Sequence, residues 1–352
     1  MNPESFHQNN AVSAAQPKLK LLLGCLVLAV ACFVAYIPAI RGDFIWDDDR
    51  YLTANPLIIA SDGLWRIWFS TDAPSQYFPL TYTTFWFEYR LWGLNPIPYH
   101  ITNIAVHVIS SCLLWVILRR LSIPAAFVSA AVFALHPVNV ESVAWITERK
   151  NVLSGVFYFA AALAYLRFVA MSDAKGSDES SVRGWREKAA RLLRNASGPW
   201  GRWLPYLAAL VLFMAALLSK TVTCSLPAAL LLVRWWKKGR LCWRDVLPLV
   251  PFFVIGMRLG LLTAHIEKHD LGAQGADWSL TLVERFLIAG RVLWFYAGKL
   301  LYPARLTFIY PRWAVDVGEG WQWLFLSAAV GVIMALWFLR RRLGRGPSPT
   351  PS

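Results

Sequence analysis

The chain has 352 residues, of which 57% are hydrophobic and 16% charged, and a formal net charge of +14. Soluble domains run at about 45–50% apolar and about 25% charged, so the apolar excess must face something other than water, and one helical membrane bundle fits better than soluble domains. The Lys and Arg residues collect between apolar runs, which points to loops facing anionic lipid rather than to nucleic acid.

Residues 1–17 are polar and read as an unstructured tail. From Leu19 to Ile40 there is no charge, enough for one crossing of a bilayer, which takes about 20 residues. This run starts late and lacks a small-residue cleavage site, so it reads as an anchor rather than a cleaved signal. Lys18 and Lys20 before it place the N-terminus, 1–18, in the cytoplasm. Residues 41–98 are too charged to cross yet rich in Trp, Tyr and Phe, the composition of a first external loop with short helices at the membrane–water interface.

Further apolar runs lie near 99–118, 123–139, 152–170, 203–219, 221–236, 246–264, 282–302 and 321–339. Basic clusters after 118, within 171–202, after 236 and after 339 read as cytoplasmic, and the first seven runs alternate correctly with them. The run at 282–302 carries Glu284, Arg285, Arg291 and Lys299, which are costly in lipid, and is expected to lie outside or re-enter rather than cross. The expectation is about eight to nine membrane helices over 19–340, with 341–352 a Pro/Ser-rich unstructured cytoplasmic tail. Cys25, Cys32, Cys112, Cys224 and Cys242 form no CxxC pair and suggest neither a disulfide framework nor a metal site. No tetratricopeptide or other repeat is visible.

Four polar clusters converge on the external side. The sharpest is FIWDDDR at 44–50. Adjacent carboxylates beside a low-dielectric boundary raise at least one pKa, which suits a general base; a polar stop at the end of the first helix is the plainer alternative. The second runs from His136 to Asn151 and holds Glu141, Glu148, Arg149 and Lys150, with Pro137 breaking the helix. The third is Ser219 to Thr223 with Lys220. The fourth, His100, Asn103 and His107, shares one helix face and reads as hydrogen bonding between helices. A polar cavity with a carboxylate and cations suits transfer from a phosphate leaving group. No glycine-rich phosphate loop or nucleotide-binding pattern is present, which favours a lipid-linked donor.

In order along the chain, FIWDDDRYLTAN (44–55), FPLTYTTFWFEYRLWGLNPIPYHITN (78–103), ALHPVNVESVAWITERKNVLS (134–154), LSKTVTCSLPAALLL (218–232) and, more weakly, YPARLTFIYP (302–311) resemble the membrane part of the transmembrane and tetratricopeptide-repeat-containing O-mannosyltransferases and their bacterial relatives. The second motif often has Arg before its Pro-Leu; here Phe78 stands there. The resemblance implies a GT-C fold, a multi-helix membrane bundle with a large first external loop. It implies inverting transfer of mannose or a similar hexose from a polyprenyl-phosphate carrier to a hydroxyl, foremost a protein Ser or Thr. The acidic pair of that fold maps onto Asp47 and Asp48 as the base, with Asp49 a third member. Lys220, Arg149, Lys150 and His136, with Arg291 and Lys299, are expected on the donor phosphate, and Glu141, His100 and Asn103 in support. No tightly bound cofactor is expected; the partners are membrane lipid, the lipid-linked sugar and an acceptor protein. A bacterial inner membrane is the first expectation, the endoplasmic reticulum the alternative. Relatives continue with more crossings and repeats that do not follow residue 345, which leaves a short variant, a fragment or a chain needing a partner as readings. The rival functions are a non-catalytic scaffold of this fold and a transporter.

Overall fold

The computed structural model describes residues 3–69, 77–173, 201, 203–270 and 280–339, and of 3–18 and 267–270 the backbone alone. The expected tail at 341–352 and most of the 171–202 loop lie outside the described residues. The described elements are helices, with no strand among them. The main ones are α1 (Pro3–Ala35), α2 (Pro79–Trp92), α3 (Pro96–Arg120), α4 (Ala126–Leu135), α5 (Arg149–Asp173), α6 (Trp203–Ser219), α7 (Leu226–Lys238), α8 (Val250–Asp270), α9 (Leu282–Leu301) and α10 (Gly320–Leu339).

The helices begin and end where local chemistry directs. Proline opens both α2 and α3, where its missing N–H costs nothing. Asn95 caps α3 by accepting from Ile97 N at 3.2 Å, and Arg119 and Arg120 close it against the negative end of the helix dipole. Gly93, at a φ of +58°, turns the chain between the two. α4 stops before Pro137, and the helical segment that follows is bent away by 46°. One expectation differs: α1 starts at Pro3 and runs through the polar residues read as an unstructured tail. Ala11, Ala14 and Ala15 favour helix there.

The chain divides into two units, residues 1–230 with 249–261 and residues 231–248 with 262–352. In the first, α5 packs on both α3 and α6, and α1 and α4 pack on α3. Close approach is built in by small residues. Ala130 and Ala134 of α4 are fully buried beside Leu28, Ile104 and Trp115. A Cβ on Gly24 would fall 2.1 Å from the Trp115 ring, so at this point α1 can approach α3 only through glycine. A second core belongs to the loop that follows α1: Leu52, Leu57, Ile58 and Ile67 pack with Tyr82 and Phe85 of α2 and Tyr99 of α3. The residues expected as a loop at the interface are thus a folded helical cap with its own core. α1, α4 and α6 run toward this cap, and α3 and α5 run away from it. Asn103 near the start of α3 donates to Trp145 O at 3.0 Å, and Thr81 in α2 donates to Ser219 O at the end of α6 at 3.2 Å.

In the second unit α9 and α10 form a hairpin. Gly290 lies so close to Leu326 that a Cβ would come within 2.8 Å of its Cα, and Trp294 Nε1 donates to Phe325 O at 2.9 Å. In the same unit Arg234 and Lys238 both bond the carboxylate of Asp245, at 3.1 and 2.9 Å.

Among the described residues four helices are long and apolar enough to cross a membrane: Pro96–Arg120, Ile146–Asp173, Trp243–Ile266 and Gly320–Leu339, or five if the bent pair Ala126–Leu135 and Pro137–Ala144 is one span. Leu19–Ala35 and Trp203–Ser219 are shorter apolar helices. α9 is one unbroken helix that carries four ionisable residues and does not meet that measure. The chain is an all-α, multi-pass membrane protein.

Candidate functional site

The acidic motif sits in the turn between α1 and the cap. The turn is strained at its first residue: Trp46 has a φ of +45°, and its ring stacks on Trp145 at 5.8 Å with 7° between the planes. Such backbone costs about 1–3 kcal/mol and persists where the surroundings enforce it. The three carboxylates that follow have different fates. Asp48 is fully buried. Its Oδ2 accepts from Ile45 N at 2.9 Å and its Oδ1 from Thr147 N at 3.0 Å, which ties the turn to the segment entering α5. Burial pushes the Asp48 carboxyl above its usual pKa, against the opposing pull of those N–H donors. Asp49 is exposed and accepts from Thr53 Oγ1 at 2.9 Å. Asp47 is half-buried, and among the described residues its carboxylate has no hydrogen bond or ion pair.

Beside Asp47 stands Tyr82 of α2. Its ring stacks on Tyr51 at 6.1 Å, and the charges of Asp47 and Arg50 both act on its hydroxyl. That hydroxyl is buried and has no hydrogen-bond partner among the described residues. Lys150 also lies against Tyr51, with Nζ 5.3 Å from the Tyr51 ring centre. The first turn of α5 and the turn after α6 then bring two cations onto one carboxylate. Lys150 Nζ lies 2.8 Å from Glu148 Oε1, and Lys220 Nζ 3.7 Å from Glu148 Oε2. Lys220 also donates to Asn151 Oδ1, whose amide nitrogen donates to Glu148 and to Ser142 Oγ. Burial pulls the Lys220 pKa down from the ordinary ammonium value, with Glu148 opposing. Two lysines thus share one glutamate, Glu148. Next to it a cavity of about 320 Å³ between α3, α4, α5 and the turn after α6 is lined by Ser110, Asn139, Ser142, Asn151, Ser154 and Thr223 together with Phe133, Tyr158 and Phe159.

Arg149 does not join the lysines. It is fully buried, and its guanidinium is consumed by Glu88, by Asn103 Oδ1 at 2.6 Å and by Tyr99 O at 2.9 Å, with the Phe85 ring 4.9 Å away. It is the pin between α2, α3 and α5, and all three of its guanidinium nitrogens donate inside the protein. Its acid is Glu88, an element of the site that the sequence reading missed; a carboxylate inside the aromatic run FWFEYR was the available signal. Tyr51, Tyr82 and Asn151 were also not singled out. His136 accepts from Val138 N at 3.2 Å and so caps the break after α4, and Glu141 lies close enough to Lys150 and Lys220 for their charges to act on it. Asn103 and His107 bond the backbone of neighbouring segments, His107 Nε2 being 2.9 Å from Ala134 O, and the buried His100 ring lies beside Gly42. Asn103 and His107 thus make the hydrogen bonds between segments that the shared face implied. Arg291 and Lys299 belong to the second unit. Arg291 lies over the Trp313 ring at 4.3 Å, and Lys299 donates to Ala304 O at 2.7 Å and Arg305 O at 3.0 Å. Among the described residues no group of three His, Cys, Asp or Glu is placed to hold a metal.

Comparison with known proteins narrows the class to a family of relatives. Over 199 residues, 47% of its length, the chain is 32% identical to the protein O-mannosyl-transferase Tmtc3 of Drosophila melanogaster. It is 29% identical over 156 residues, 40% of its length, to the protein O-mannosyl-transferase F38B6.6 of Caenorhabditis elegans. It is 28% identical over 187 residues, 46% of its length, to the human protein O-mannosyl-transferase TMTC4. The chain is a homologue of these protein O-mannosyl-transferases, as its motifs implied. The matched regions make up 21%, 23% and 25% of the fly, worm and human proteins. The chain therefore spans about a quarter or less of the curated relatives it matches. These relatives are animal proteins and nothing in them points to a bacterial inner membrane. No protein-family model matches the chain, and no solved structure is significantly similar to it.

Proposed function

We propose that the chain is the catalytic membrane part of a glycosyltransferase that moves a hexose, mannose by the names of its relatives, from a polyprenyl-phosphate carrier to a protein hydroxyl. The observation that carries this reading is the Asp47 carboxylate, half-buried and unpaired among the described residues, beside Tyr82, whose ring stacks on the Tyr51 ring that Lys150 faces. In the proposed reaction the acceptor O–H gives its proton to Asp47 as the oxygen bonds the anomeric carbon. The bond from that carbon to the phosphate oxygen breaks with inversion, and the carrier phosphate leaves with the electron pair. Lys220 and Lys150 hold that charge, a stabilisation of the leaving group that the partial burial of both strengthens. Glu148 keeps the two lysines in place before the donor arrives. Asp48 positions the turn through Thr147 and does not touch the substrate.

The hydroxyl- and amide-lined cavity beside Asn151 is of the size of a small-ligand site and suits the hexose. The reading places the chemistry on the membrane face opposite the N-terminus. It is tested by purifying the chain, reconstituting it in liposomes with a radiolabelled polyprenyl-phosphate mannose and a Ser/Thr-rich acceptor protein, and counting label in protein. Label transferred to hydroxyls supports it; tight donor binding with no transfer to any hydroxyl acceptor leaves a binding scaffold instead.

A further inference from the structure

The first unit holds a second, larger cavity, at the end of the bundle away from Asp47 and Lys220. Its volume is about 740 Å³. It opens where α3 and α5 end and α6 begins. Its wall is apolar and built from small steps: Leu113 of α3, Ala160, Leu163 and Ala164 of α5, and Leu204 and Ala208 of α6. Two arginines enter this lining, Arg120 from the last turn of α3 and Arg167 from α5. They are close enough for their charges to repel each other. Among the described residues neither has a carboxylate partner.

Both side chains are exposed at this end of the bundle, and two guanidinium groups beside an apolar groove offer an anion a shared positive field. The groove lies along α3 and α5, which are long and apolar enough to cross a membrane, and its apolar wall fits an anion that carries an apolar body. We infer that this groove binds one anionic phospholipid, its phosphate between Arg120 and Arg167 and an acyl chain along Ala160 and Ala164. The planar guanidinium fork matches a phosphate through paired N–H···O bonds. The alanines leave the width a chain needs. α3, α5 and α6 all contribute, so the lipid joins the three helices that also carry Asn103, Arg149 and Ser219 at the other end. The site is separate from the proposed donor site, and the inference does not depend on the proposed activity.

The test uses the full chain purified in detergent, with phosphatidylglycerol as probe, phosphatidylcholine as neutral control and inorganic phosphate as competitor, bound lipid being read by native mass spectrometry. The wild type is expected to retain phosphatidylglycerol about tenfold more strongly than phosphatidylcholine, and millimolar phosphate should not displace it. Arg120→Gln with Arg167→Gln should abolish the preference. Ala164→Leu, which keeps both charges and fills the groove, should also lose the lipid. Because Ala164→Leu is checked for an unchanged unfolding midpoint in lipid-free detergent, its loss of lipid is not a folding failure; if it does not fold, Ala160→Leu takes its place. The inference is overturned if the double arginine variant keeps the preference, if Ala164→Leu binds phosphatidylglycerol as the wild type does, or if inorganic phosphate competes fully, which would make the pair a free-phosphate site.

Discussion

The guanidinium of Arg149 reaches Glu88 from wholly inside the protein, with Arg149 0% and Glu88 6% exposed, and the pair joins α5 to α2 across 61 residues of sequence. Its Nε donates to Asn103 and its Nη2 to the Tyr99 carbonyl, so α3 is held by the same side chain. The cap that carries Tyr82 is thereby fastened to the bundle that carries Lys150 and Lys220.

Breaking that pair should be severe. Arg149→Met leaves the Glu88 carboxylate buried and alone, and the loss of one partner of a buried pair costs about 3–5 kcal/mol. A clear fall of the thermal unfolding midpoint in detergent is expected. Adding Glu88→Gln to Arg149→Met should restore much of it, since no charge is then left unpaired. A wild-type midpoint in Arg149→Met would remove the pin from the account.

Asp48 and Asp47 should separate in their effects. Asp48→Ala removes the acceptor of the Ile45 N–H and of the buried Thr147 N–H, the latter costing about 1–3 kcal/mol when left unpaired, and should lower stability and activity together. The Asp48 carboxyl is raised above its unfolded value. Its contribution to stability is therefore whole below the ordinary carboxylate pKa and is lost as pH rises through the raised one. Asp48→Asn lacks this titration. The unfolding midpoint of the wild type should fall relative to Asp48→Asn across that window, and parallel curves for the two proteins would contradict the buried, ionisable Asp48.

Lys220 carries the opposite sign. Its pKa is depressed, so its stability contribution is whole above the ordinary ammonium value and is lost as pH falls through the depressed one. Lys220→Met should flatten that part of the stability curve. It should also weaken binding of a polyprenyl-phosphate sugar by roughly tenfold or more, the scale of a charge-assisted hydrogen bond at about 1.5–3 kcal/mol. Unchanged donor affinity in both Lys220→Met and Lys150→Met would make the group a structural ion pair around Glu148.

Tyr82→Phe discriminates structure from function. The buried hydroxyl has no partner among the described residues, so its removal should leave stability unchanged or higher. If substrate supplies the missing partner, kcat falls while the unfolding midpoint does not. Full activity in Tyr82→Phe would leave the hydroxyl without a role in transfer.

Much of this arrangement was visible in the sequence because its signals are local. Proline at 137 breaks a helix wherever it stands, and the apolar run at 203–219 coincides with α6. The run at 221–236 starts late as a helix, at Leu226, because Thr221–Ser225 first forms a tight 3₁₀ turn that presents Lys220. Arg149 was assigned to a phosphate because a cation near apolar helices needs an anion. That logic holds, but the anion is Glu88, and sequence spacing cannot show a pairing across 61 residues. Nor can it say which of three adjacent aspartates turns inward. That is decided by the strained turn at Trp46 and by the Thr147 N–H waiting for Asp48.

The central claim is that Asp47 takes the acceptor proton. The direct measurement is the single-turnover rate of sugar transfer by liposome-reconstituted wild type and Asp47→Asn, at saturating polyprenyl-phosphate mannose and with membrane insertion and donor affinity checked in both. The account predicts a rate lower by about 10²–10⁴ in Asp47→Asn with donor affinity retained. Transfer by Asp47→Asn at the wild-type rate would contradict it.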